Sequence, residues 1–144
     1  STDAKRDRAI AAGAQGGVLH SDADWPQRAR EISPDGRGFD VILDAVGLWG
    51  RSVQALRPGG RLVVLGANVA ERADMDIRAF YFGQYSLLGT TMGSPSDFRG
   101  LLDLVAKGRL SRPVIARTFP LADAAEAHRH LESGGEFGKI VLLQ

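Results

Sequence analysis

Phe39-Asp40-Val41-Ile42-Leu43-Asp44-Ala45-Val46-Gly47 and, a short stretch later, Leu56-Arg57-Pro58-Gly59-Gly60-Arg61-Leu62-Val63-Val64-Leu65-Gly66 decide the fold of this chain. Each holds an apolar run too short for a helix and bounded by turn residues, the pattern of a strand buried on both faces. Arg57-Pro58-Gly59-Gly60 supplies a tight turn into a central strand at residues 61–66. The intervening segment reads as a short helix ending near Leu56. Strand, helix and strand in that order form the unit that joins parallel strands by a crossover.

The same alternation runs outward in both directions. Thr2 caps a helix over residues 3–12, and Gly13 stops it before a short strand at 17–20. A second helix covers 24–32, with Pro26 tolerated in its first turn, and Pro34, Asp35, Gly36 and Gly38 break the chain ahead of Phe39. Downstream come a helical turn at 77–82 and a strand at 85–91. Ser94-Pro95-Ser96-Asp97 is a capped helix start, after which Phe98, Leu101, Leu102 and Val105 fall at i, i+3, i+4 and i+7 until Gly108. An extended segment at 114–119, a helix at 121–131 and a strand at 138–143 close the chain. The fold class is α/β, with a parallel sheet and no internal repeat.

Composition narrows the partners. The 144 residues carry 18 Lys and Arg against 17 Asp and Glu, so neither nucleic acid nor an anionic membrane is favoured and a small molecule is expected. No cysteine is present, which removes disulfides, thiol catalysis and cysteine-ligated zinc from this segment and accords with a cytoplasmic setting. No run approaches the roughly 20 apolar residues of a membrane span. The chain begins with Ser1-Thr2-Asp3 rather than Met, as expected of a polypeptide that has been cut or processed.

The glycines do not form a phosphate-cradling loop. Gly13-Ala14-Gln15-Gly16-Gly17 follows a helix and precedes a strand, the reverse of the strand-glycine-helix order that places backbone amides around a pyrophosphate, and Gly36-Arg37-Gly38 enters a strand. By contrast, Asp44-Ala45-Val46-Gly47 and Leu65-Gly66-Ala67 put small residues at the carboxyl ends of parallel strands, the edge where open α/β sheets bind ligands and where ordinary turns also want small residues. His128 falls in register with Ala124, Ala125 and Leu131 and is expected to pack inward, with His130 pointing elsewhere; the two do not share a helix face for a metal. Trp25 and Trp49 read as packing residues, and Asp3 serves a helix N-terminus.

Together with Leu87-Leu88-Gly89-Thr90-Thr91-Met92-Gly93 and Phe137-Gly138-Lys139-Ile140-Val141-Leu142, the two opening motifs resemble the medium-chain dehydrogenase/reductase superfamily, in its quinone oxidoreductase and zinc-type alcohol dehydrogenase-like branch. The resemblance spans essentially the whole chain. It implies an incomplete Rossmann domain that lacks its first two strands and glycine-rich loop, with residues 1–137 belonging to the nucleotide-binding domain and 138–144 forming a strand that returns to an absent catalytic domain. Such a piece is expected to be unstable alone.

The resemblance also implies a role: part of an NAD(P)(H) groove for hydride transfer to or from a carbonyl, quinone or activated alkene. Lys5, assisted by Arg6 and Ser1, would meet the 2′-phosphate of NADP, which is preferred to NAD. Ala45, Val46 and Gly47 would line the ribose and adenine side. Leu65, Gly66 and Ala67, with Thr90, Thr91 and Met92, would offer main-chain groups to the nicotinamide carboxamide, and Lys139 would reach the pyrophosphate. No catalytic residue and no metal ligand is assigned to this segment, and zinc elsewhere in the parent is left open. Relatives pair the strand at 85–91 with its twin, so a homodimer is expected. A class I S-adenosylmethionine-dependent methyltransferase fragment and a non-catalytic dimerisation module are the alternatives.

Overall fold

The computed structural model describes residues 2–144, and Ser1 lies outside the described residues. The chain divides into two compact units, one running to Met92 and the other from Gly93 to Gln144.

In the first unit, β1 (Phe39–Asp44), β2 (Leu56–Val64) and β3 (Ser86–Gly89) form a parallel sheet in the order β1-β2-β3, so β2 is central as its sequence implies. The helices are α1 (Asp3–Ala11), α2 (Trp25–Glu31), α3 (Trp49–Ser52) and α4 (Ile77–Phe82), with a 3-10 turn at Val53–Ala55 leading into β2. Register places Ile42 beside Leu62 and Leu62 beside Leu87. Ile42 packs against two clusters, Trp25–Ala29–Ala55 and Val53–Leu56–Leu62, and Leu56 and Leu62 are fully buried. Burial of side chains of this size contributes about 1.5–3 kcal/mol each.

Three expectations are corrected here. β1 is not buried on both faces: Leu43 is 70% exposed and Val41 is exposed, because both clusters gather on the Ile42–Leu62 face. The turn at Arg57-Pro58-Gly59-Gly60 does not precede β2 but bulges from it, since Phe39 pairs with Leu56 and Val41 already pairs with Arg61. Residues 17–20 form no strand; a strand exists only where a second backbone ladders with it, and among the described residues none does so there.

The second unit contains α5 (Pro95–Ala106), β4 (Ile115–Pro120), a 3-10 turn at Leu121–Asp123, α6 (Ala124–Glu132) and β5 (Lys139–Leu143). β4 and β5 pair in parallel, from Ile115 with Lys139 to Pro120 with Leu143, so the closing strand finds a partner within the chain. α6 turns its Ala127–His130 row inward. His130 lies 5.8 Å from the Phe119 ring and its Nε2 is 3.0 Å from Glu136, whereas His128 is exposed. This reverses the expectation for the two histidines. α6 is amphipathic, and the residue of it that is buried is Ala127, in the row that carries His130 toward the Phe119 ring.

α5 begins as its sequence implies. The Ser94 hydroxyl accepts from the Asp97 amide at 3.1 Å and the Asp97 carboxylate accepts from the Ser94 amide at 2.8 Å. Its apolar positions Phe98, Leu101 and Leu102 are exposed.

Hydrogen bonds from the Ser94 side chain, and then from its amide, hold the Asp97 carboxyl below the usual carboxylate range. A depressed folded-state pKa contributes stability above the unfolded value of about 3.9 and loses it as pH falls through the folded value. Ser94→Ala is therefore expected to return the Asp97 titration toward its ordinary value, followed by carboxyl NMR. Loss of the cap should cost about 1 kcal/mol, read as faster amide exchange in the first turn of α5.

Candidate functional site

Because the three strands of the first sheet are parallel, their carboxyl ends lie along one edge. The loops that leave it are bonded to one another. The Leu65 amide donates to the Asp44 carbonyl at 3.0 Å, Val69 to Val46 at 2.8 Å, and Thr90 to Val64 at 3.0 Å, while the Asn68 side-chain amide donates to the Ala45 carbonyl at 3.3 Å. Ala45, Val46, Gly47, Leu65, Gly66, Ala67 and Thr90 thus lie along this edge.

Two glycines allow this contact. Gly47 has φ +94°, and a Cβ there would stand 2.4 Å from the Ala70 carbonyl oxygen; a Cβ on Gly66 would stand 2.4 Å from that of Ala45. In both cases the vacated space is filled by backbone of the neighbouring loop. Smallness at these positions therefore serves the junction of the loops.

A residue without a role in the sequence reading holds the first loop. Asp44 is 3% exposed, and its Oδ1 accepts from the amides of Val46 and Gly47, each at 2.8 Å. Its Oδ2 accepts from the Leu48 amide at 3.1 Å and the Ser52 hydroxyl at 2.8 Å. An ionised carboxylate only accepts, so these four donors suit it. The available signal was an acid closing an apolar strand, ahead of small residues and a helix.

The rest of the expected set is spread over the end of the first unit, the second unit and α1. Thr91 and Met92 end the first unit, with Met92 at φ +49° and 93% exposed. Lys139 opens β5 in the second unit and is exposed. Lys5 and Arg6 stand on α1, which has no buried residue. Arg6 is ion-paired with Asp3 at 2.6 Å and Asp7 at 2.8 Å, and its pKa is raised first by the hydrogen bond to Asp7. Ser1 is outside the described residues.

Beside the edge, a cavity of about 810 Å³ opens between residues 47–54 and 70–79, with Trp49, Arg51, Arg72 and Asp74 among its lining. Arg51 is already committed: it donates to the carbonyls of Asp22 and Ala23 at 2.8 and 2.7 Å and lies 5.5 Å from the Trp25 ring centroid.

Residues 18–142 match the sequence model of the family described as zinc-binding dehydrogenase. The chain belongs to this family. A 2-haloacrylate reductase from Burkholderia sp. is 32% identical over 155 residues, covering 99% of this chain and 46% of the relative. A quinone oxidoreductase from Rattus norvegicus is 29% identical over 131 residues, covering 86% of the chain and 39% of the relative. The crystal structure of an NAD-dependent alcohol dehydrogenase superposes with a TM-score of 0.90 at 34% identity, over 100% of this chain and 42% of that one. This zinc-binding dehydrogenase chain spans less than half the length of each. Its parallel α/β architecture is that of the C-terminal, Rossmann-like nucleotide-binding part of medium-chain dehydrogenases, as the motifs imply, and the methyltransferase alternative is set aside.

The family's metal does not fit the residues at hand. The chain has no cysteine, and among the described residues no group of three His, Asp or Glu side chains is placed to hold an ion. No helix of the described residues is long and apolar enough to cross a membrane.

Gly66→Ala is expected to destabilise the first unit by about 1–3 kcal/mol, because carbonyl and Cβ must separate. Gly100→Ala, at a helical position with open space around it, should stabilise by about 0.5–1 kcal/mol. Urea denaturation of both variants measures the contrast.

Proposed function

We propose that this chain forms part of the NAD(P)(H) groove of an oxidoreductase that moves a hydride to or from a carbonyl, quinone or activated alkene. The observation that carries the reading is the interlocked pair of loops after β1 and β2, at the sheet edge where ligands of open parallel sheets bind. The edge suits a dinucleotide's flat rings. Leu65 is 51% exposed, Ala45 and Ala67 are exposed, and Val46 is half-buried, so apolar surface lies beside main-chain groups.

In this reading Ala45, Val46 and Gly47 face the ribose and adenine side. Leu65, Gly66, Ala67, Thr90, Thr91 and Met92 present backbone to the carboxamide. When bound, the nicotinamide supplies the hydride, and the chain orients its ring and excludes water. No residue of this segment is assigned the role of acid, base or metal ligand. NADP is preferred through Lys5, supported by Ser1; Arg6 contributes less, because Asp3 and Asp7 already hold its guanidinium.

The names of the reductase and the quinone oxidoreductase among the relatives support an electron-poor small molecule as substrate. Residues 1–137 are assigned to the nucleotide domain, and 138–144 to a terminal strand that returns to a catalytic domain. Homodimerisation is assigned to residues 85–91, since β3 is an outer strand with its residues exposed. A cytoplasmic setting accords with the lack of cysteine.

Titration of the full-length protein with NADPH and NADH, followed by cofactor fluorescence, is expected to saturate with both and to favour NADPH. Lys5→Glu should weaken NADPH roughly tenfold while leaving NADH nearly unchanged. Absence of binding by either cofactor overturns the reading, and equal affinities overturn the NADP preference.

A further inference from the structure

The carboxylate of Asp44 is almost wholly buried, yet among the described residues it has no cationic partner. Burying such a group is unfavourable unless donors converge on it. Three consecutive amides, those of Val46, Gly47 and Leu48, do so, with the Ser52 hydroxyl as a fourth donor. Successive amides turned toward one point form a concavity that attracts anions. Here the chain fills that concavity with its own carboxylate, and Gly47 at φ +94° supplies the backbone conformation at its middle.

We infer that Asp44 is the positioning residue of the cofactor edge, setting the loop at 45–48 and, through it, the loop at 65–70. This rests on the nucleotide reading above. The connection between the loops is direct. Once Asp44 holds residues 46–48, the Val46 carbonyl accepts from Val69, the Ala45 carbonyl accepts from Asn68 and abuts Gly66, and Gly47 lies under the Ala70 carbonyl. The main-chain groups assigned to the ribose side are therefore held by this buried carboxylate directly, and those at 65–67 on the carboxamide side through the first loop. Ser52 ties the same charge to α3, which packs against the core through Trp49.

The amide isostere tests this sharply. In Asp44→Asn, the side-chain oxygen can still accept from Val46 and Gly47, but an NH2 group then faces the Leu48 amide, donor against donor. Ser52→Ala removes only one contact and leaves the three amides in place. Amide hydrogen exchange at residues 46–48 of the full-length protein is expected to accelerate at least tenfold in Asp44→Asn and less in Ser52→Ala. Affinity for the preferred nicotinamide cofactor, measured well below the melting temperature, should fall at least tenfold and about threefold respectively. Leu62→Val, a core variant that lowers melting temperature without touching either loop, should bind cofactor within twofold of the wild type.

Unchanged exchange at 46–48 in Asp44→Asn overturns the inference. So does wild-type affinity in that variant, or an equal loss of affinity in Leu62→Val, which would make the effect one of general stability. Failure of the wild type to bind NADPH or NADH overturns the nucleotide reading and the positioning role together, and so is distinguishable from failure of the positioning role alone. If Asp44→Asn does not fold, Ser52→Ala decides: affinity unchanged from the wild type overturns the inference.

Discussion

The parallel ladder between β1 and β2 is the constraint on which the first unit depends. Two parallel strands cannot be joined by a hairpin, so the chain from Asp44 to Leu56 must leave one end of the sheet and return to the other. α3 and the 3-10 turn after it make that return. Their passage buries Val53, Ala55 and Leu56 against the same sheet face as Ile42 and Leu62. Alignment of the carboxyl ends is a further result of the same pairing, so the core and the candidate cofactor edge have one origin.

At that edge the loops are joined by backbone more than by side chains. Gly47 and Gly66 let two loops approach to carbonyl contact, and Asp44 orients three amides of the first loop. Main-chain recognition tolerates changes in neighbouring side chains, provided the backbone keeps its path. A buried carboxylate is suited to hold such a path. Its hydrogen bonds are stronger than those of neutral groups, and leaving any donor unmet inside the protein is unfavourable.

The chain also presents apolar surface that its own units leave uncovered. Leu43 on the sheet, and Phe98, Leu101 and Leu102 along α5, are exposed although their spacing is that of core positions. The chain belongs to the zinc-binding dehydrogenase family and spans less than half the length of the relatives it matches. Among the described residues no group of three His, Asp or Glu side chains is placed to hold a metal ion.

Much of the architecture was legible from local pattern. The β1 span, α4 and the capping box of α5 follow from residues close together in sequence, because caps, turns and short apolar runs act over a few positions, and the family from four such motifs in order between Phe39 and Leu142. The carboxyl-edge loops were legible for the same reason, as small residues after parallel strands. Tertiary structure alone decided which face of β1 is covered and that residues 17–20 lack a ladder partner. It also turned His130 rather than His128 inward, and made Asp44 the support of the loop that follows it. Each of those outcomes depends on what a distant segment brings into contact, and a residue's own neighbours in sequence carry no record of that.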